Sequence, residues 1–151
     1  MRPFQRILLP TDFSACSAEA QRAAVELAQR YDATLELLHV FEPILYMTPE
    51  GHTLLVPGQL EDLLDGNDRL LDAAKKAAED AGAPRVRTRQ EQGVAASEIV
   101  EVARRDGFDL IVIGTHGRTG LKHALLGSVA ERVVRRAPCP VLTIRTPAHA
   151  E

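Results

Sequence analysis

Residues 110–114, LIVIG, are apolar at every position. An alternating pattern would mark a strand with one face in water. A short run without a polar position marks a strand buried on both faces, which requires a mostly parallel sheet covered by helices on either side. The rest of the chain offers matching pieces. Residues 6–11, RILLPT, form a second short continuous run that breaks at the DFS of 12–14. Ala20, Ala23, Ala24, Leu27, Ala28 and Tyr31 then trace one face of a helix, with Ser14 or Ser17 placed to cap its start. Residues 34–40 predict a second strand, and 41–59, with three prolines, two glycines and no sustained period, predict a long loop. From Leu60, a stripe of Leu63, Leu64, Leu70, Leu71, Ala74, Ala77, Ala78 and Ala81 predicts the longest helix, ended by Gly82 and Pro84. Residues 86–91 alternate weakly and carry charge, as a strand at the rim of a sheet does. A third helix spans 96–105 with Ile99, Val100 and Ala103 inward. A fourth spans 128–136, with Val129, Val133 and Val134 expected to be buried, and PCP at 138–140 separates it from a last strand at 141–144.

Five strands alternating with four helices make a doubly wound α/β fold with a five-stranded parallel sheet and right-handed crossovers. The 151 residues, 45% of them hydrophobic, are enough to fill one core, and a single domain over 1–151 is expected. No apolar run approaches the roughly 18 residues that cross a bilayer, and the start lacks a signal-peptide pattern, so a cytoplasmic protein without a membrane partner is expected. A net charge of −3 and only four Phe and two Tyr argue against a nucleic-acid partner. The two cysteines, Cys16 and Cys139, have no zinc spacing and should lie at opposite ends of the sheet, which argues against both a metal site and a disulfide.

In doubly wound sheets, ligands bind outside the carboxyl ends of the strands where the strand order reverses. The common order for this count of units is 3-2-1-4-5, which puts the reversal between the first and fourth strands and sets Asp12 across a crevice from Gly114. Gly114, Gly117 and Gly120 have no side chain to hold an anion off the backbone, so their N–H groups are open to phosphate oxygens. Gly127 and Ser128 then open the fourth helix, whose first N–H groups and dipole favour negative charge. Arg118, Lys122 and His123 add positive charge nearby. Three glycines alone would equally suit a surface turn with no ligand. The segment is neither a P-loop nor the dinucleotide GxGxxG that follows a first strand.

The spacing is Gly114-x2-Gly117-x9-Gly127-Ser128. With ILLPTDFS near the start, LLHV at the end of the second strand, DLIVIGTHGRTG, and LLGSVAERVVRRAPCPVLTIR at the end, the chain resembles the ATP-binding members of the universal stress protein family over essentially its whole length. The resemblance implies a fold like the adenine nucleotide alpha hydrolases and a regulatory role in the stress response. It implies that Gly114, Gly117, Gly127, Ser128 and Val129 hold the ribose and phosphates of ATP, that the Val40 main chain meets the adenine edge, and that Pro10, Thr11 and Asp12 line the base and ribose side.

No triad or other catalytic constellation is evident among Asp12, Ser14, Cys16, His39 and His116, and no metal-ligand set. Asp12 has two readings: contact with the ribose or with water around a Mg²⁺ or Mn²⁺ ion carried on the phosphates, or capping of local backbone. His39 is expected to pack at its strand end, His116 to flank the loop, and His52 and His149 to be solvated. The 41–59 loop reads either as a lid, with Tyr46 and Met47 over the base, or as an ordinary variable loop. Arg85, Arg87 and Arg89 discourage pairing at one sheet edge, whereas 141–144 leave an apolar edge that a second copy of the chain would cover, and the resemblance implies a homodimer there too. The function expected is ATP binding by a regulatory protein with an unidentified protein partner. A slow ATPase and a nucleotide-independent interaction module are the alternatives. A phosphorylation receiver lacks support, since Asp12 has no acidic neighbour.

Overall fold

The computed structural model describes residues 3–43, 46–54, 56, 58–117 and 126–146, and of Tyr46, Thr53 and Leu54 the backbone alone. The elements run β1 (Arg6–Pro10), α1 (Ala15–Tyr31), β2 (Thr34–Phe41), β3 (Tyr46–Met47), β4 (Thr53–Leu54), α2 (Gln59–Asp80), β5 (Arg85–Gln92), α3 (Ala95–Arg105), β6 (Leu110–Gly114), α4 (Ser128–Arg136) and β7 (Val141–Ile144). The main sheet is parallel throughout, in the order β5-β2-β1-β6-β7, so the expected 3-2-1-4-5 winding is present.

Strand periodicity divides the core in two. Ile7, Leu9, Leu35, Leu37 and Val112 face α1 and α2, while Leu8, Leu38, Ile111 and Ile113 face α3 and α4. Ile7, Leu8, Leu9, Ile111 and Val112 are all fully buried, as the apolar runs required. Among the described residues no helix is long and apolar enough to cross a membrane.

Three expectations are corrected. The 41–59 segment is not all loop. It holds the antiparallel pair β3–β4, with Tyr46 opposite Leu54 and Met47 opposite Thr53, closed by a turn in which the Gly51 N–H donates to the Thr48 carbonyl. Strands of two residues are too short to show a period. In α2 the inward line is Asn67, Leu71 and Ala78, spaced by four and seven. Leu70 falls one residue, about 100° of turn, off it and is 45% exposed, and Leu63, four residues before Asn67 and near the start of the helix, is 39% exposed. In α4, Ala130 and Val133 are inward at a spacing of three, which leaves Val129 and Val134 on the flanks, both exposed.

Strand β5 is an edge, as its charges implied, but Arg89 does more than block pairing. Its Nε lies 2.6 Å from Oε1 of Glu36, a β2 carboxylate whose side chain is 4% exposed, and its Nη1 lies 2.5 Å from Asp106 Oδ2. The Nε–H does not point squarely at Glu36 Oε1, so that oxygen has charge contact without a well-aligned hydrogen bond. Hydrogen bonds from Arg89 and then Arg105 hold the Asp106 carboxyl below its ordinary range. Removing one partner of a buried pair leaves an uncompensated charge. Arg89→Leu is therefore expected to lower unfolding stability by about 3 kcal/mol in a urea titration, and adding Glu36→Leu should recover most of that. A loss below about 1 kcal/mol for Arg89→Leu would show the cluster to be a solvated surface feature.

Candidate functional site

Sheet topology sets the site. From β1 the chain leaves through α1 to β2 on one side. From β6 it leaves through α4 to β7 on the other, and the carboxyl ends of β1 and β6 open into a cleft. Its floor is apolar: Leu38 and Val40 from β2, Ile113 from β6, Ala95 and Ile99 from α3, Val129 from α4. Its rim is polar, with Thr11, Asp12, Ser17 and His116 around Pro10, Gly114 and Gly117. An apolar floor with a few directed polar groups suits a small organic ligand with one flat apolar part.

Of the two readings of Asp12, the structure realises the capping of local backbone, through one carboxylate oxygen. Oδ1 accepts from the Ser14 N–H at 3.0 Å and from the Ser17 hydroxyl at 2.6 Å, which ties the residue to the start of α1. Ser14 is the N-cap of that helix and accepts from the Ser17 N–H at 3.2 Å. Oδ2 faces Gly117 so closely that a Cβ there would sit 2.7 Å from it. Ser17, 8% exposed, is thus a cleft residue as well as a helix residue. The sequence marked it only as a possible cap. Its position three residues after the N-cap was the signal that it could reach back to Asp12.

The glycines have packing reasons that anion access did not supply. A Cβ on Gly114 would meet Cys16 Sγ at 2.9 Å and the Cys16 carbonyl oxygen at 3.1 Å, so this glycine lets the first turn of α1 lie against the end of β6. A Cβ on Gly127 would lie 3.0 Å from the Thr115 carbonyl oxygen. That carbonyl accepts the Gly127 N–H at 2.6 Å, while the Thr115 N–H donates to Ile144 at 2.8 Å. Thr115 and Gly127 are therefore joined directly, and the Gly127 N–H is already bonded there. The N–H groups of Ser128, Val129 and Ala130 precede the first intrahelical bond of α4, from Glu131 to Gly127, and form its donor-rich end. The helix has no side-chain cap.

Arg118, Gly120, Lys122, His123 and His149 lie outside the described residues. His116 flanks the cleft, its Nδ1 2.9 Å from the Thr115 hydroxyl, and His52 is exposed. Met47 is 77% exposed and is not among the cleft-lining residues, which does not favour a lid over the base. Both cysteines are free thiols. Burial raises the Cys16 thiol, but hydrogen bonding with the Thr146 side chain, the His116 backbone, and the Thr115 side chain and backbone outweighs it and leaves the thiol below its ordinary value. Cys139 is pushed up by burial and by Asp109. Among the described residues no three His, Cys, Asp or Glu side chains group as metal ligands.

Comparison with known proteins agrees with this geometry. The family model described as the Universal stress protein family matches residues 3–145. A universal stress protein of Methanocaldococcus jannaschii is 40% identical over 146 residues, covering 95% of this chain and 84% of that one. Among solved structures, the universal stress protein UspA from Lactobacillus plantarum superposes with a TM-score of 0.80 at 30% identity, covering 94% of this chain and 98% of that one. A universal stress protein solved in complex with cAMP superposes at 0.72 with 26% identity, covering 95% and 98%.

The two inner glycines are expected to respond differently to alanine. Gly114→Ala meets main-chain atoms that have nowhere to go and should cost about 1–3 kcal/mol of stability. Gly117→Ala meets, among the described residues, a carboxylate end and should cost less than about 0.5 kcal/mol. Chemical denaturation of the nucleotide-free proteins checks this, and equal losses would contradict the packing assigned to Gly114.

Proposed function

Because the chain belongs to the universal stress protein family, we propose that it is an ATP-binding regulatory protein of the stress response, acting as one nucleotide-binding domain in the cytoplasm. The observation that carries this reading is the cleft at the β1–β6 reversal, with an apolar floor at one end and Asp12, Gly117 and the start of α4 at the other. In this reading adenine lies on Leu38, Val40, Ile99 and Ile113, with the Val40 main chain at its edge. Pro10 and Thr11 border the base and ribose, and Asp12 accepts from a ribose hydroxyl. The phosphates run past Gly114, Gly117 and Arg118 to Gly127 and the N–H groups of Ser128 and Val129, where the unpaired donors and the helix dipole favour anions. A Mg²⁺ or Mn²⁺ ion would be carried mainly by the phosphates. The adenine-nucleotide class is supported by the related protein that holds cAMP. ATP in particular is supported by the Gly114-x2-Gly117-x9-Gly127-Ser128 spacing.

Binding is favoured over turnover because one Asp12 oxygen is engaged by Ser14 and Ser17, which makes the residue a fixed acceptor more than a mobile base. Titration calorimetry should give one ATP site per chain. Asp12→Asn should weaken it about tenfold or more, the loss expected for a hydrogen bond to a charged acceptor. Absence of binding by ATP, ADP and AMP would sink the reading. ATP turnover that Asp12→Ala abolishes without abolishing binding would replace it with the ATPase reading.

The same proposal includes a homodimer through β7. That strand has one sheet neighbour, β6, and Leu142 on it and Val134 on α4 are 38% and 46% exposed. The wild type should sediment as a dimer at micromolar concentration and Leu142→Lys as a monomer. A monomeric wild type would contradict this part.

A further inference from the structure

The Thr11–Asp12 turn is held from the face of the sheet opposite the cleft. Along β2, Leu35 and Leu37 point toward α1 and α2, so His39, next in the period of two, does the same, whereas Leu38 and Val40 line the cleft. His39 Nδ1 lies 2.8 Å from the Thr11 carbonyl oxygen. A carbonyl only accepts, so Nδ1 carries the proton. The His39 ring packs against Phe13, with centroids 4.6 Å apart and planes tilted by 38°. Phe13 has φ +63°, a conformation a bulky side chain adopts only where its surroundings impose it. Its N–H donates to the Thr11 hydroxyl at 3.1 Å, and the Thr11 N–H donates to Leu38 at 2.8 Å. Asp12 is thus flanked by a carbonyl fixed by His39 and by a strained residue fixed against the same ring.

We propose that His39, with Phe13 packed on it, is the positioning residue that aims Asp12 into the nucleotide cleft from across the sheet. Neither side chain lines the cleft. The effect passes through the Thr11 carbonyl and the Phe13 backbone to the carboxylate, and it rests on the nucleotide reading given above. It also accounts for a polar ring at a position whose strand predecessors on that face, Leu35 and Leu37, are fully buried aliphatics. A leucine there would fill the space but could not donate.

Calorimetric ATP titration of single and double variants tests this. His39→Leu keeps the volume but loses the donor, and it should weaken ATP binding by about five- to tenfold, the loss of one hydrogen bond. His39→Asn places an amide N–H where Nδ1 stood and should recover most of that loss. In an Asp12→Asn background, His39→Leu should cause little further weakening, since the two act as one unit. A merely structural role for His39 would add its loss in both backgrounds. Phe13→Gly accepts φ +63° without strain but removes the ring, and should weaken ATP as His39→Leu does; if His39→Leu fails to fold, Phe13→Gly carries the same comparison. Wild-type affinity in His39→Leu and Phe13→Gly, or fully additive losses with Asp12→Asn, would overturn the inference alone. A wild type that binds no adenine nucleotide would overturn it together with the reading on which it rests.

Discussion

Two adjacent parallel strands whose chains leave in opposite directions cannot both be covered at their carboxyl ends by the helices that follow them. In this protein that constraint falls on β1 and β6, between two layers of buried aliphatic side chains that keep the strands in register. The opening it leaves is unavoidable for this winding, and the residues at its mouth are Thr11 and Asp12, the first after β1, and Gly114, the last of β6. The site is a property of the topology before it is a property of any side chain.

The side chains then decide what the opening accepts. The short distances around Gly114 and Gly127 show backbones drawn together so tightly that a larger residue would force a shift, and Gly117 lies against the Asp12 carboxylate. Gly114 seats α1 on β6, Gly127 bonds to and packs against the Thr115 carbonyl, and Gly117 leaves room for Asp12. What was read from sequence as access for an anion is in the structure first a matter of chain packing around the cleft. The helix dipole and the open N–H groups of α4 lie at one end of that packed frame, and the apolar floor lies at the other.

Much of this was legible in the residues, and the failures have physical causes. The strands and their order followed from apolar runs and from the count of alternating elements, because a buried parallel strand leaves no polar trace. The helices were found, but their inward faces were misjudged at Leu63, Leu70, Val129 and Val134. Apolar residues on the flank of a helix, or near its start as Leu63 is, look the same in sequence as those facing inward. The β3–β4 pair was invisible because two residues have no period. Of the cleft lining, Asp12, Val40, Gly114 and Gly117 were singled out by local pattern and family resemblance. Ala95 and Ile99 were not, because they reach the cleft only through the crossover that lays α3 against β2 and α4. Arg89 was read as a guard against edge pairing. Its contact with the buried Glu36 depends on a diagonal across two strands that spacing along the chain does not reveal.

The central claim is that this cleft, and no other surface, receives an adenine nucleotide. Amide chemical shifts followed by NMR during an ATP titration test it residue by residue. The account predicts saturable shifts centred on Asp12, Val40, Gly117, Ser128 and Val129, with the exposed faces of α1 and α2 unmoved. No shifts, or shifts centred on α1 and α2, would contradict it.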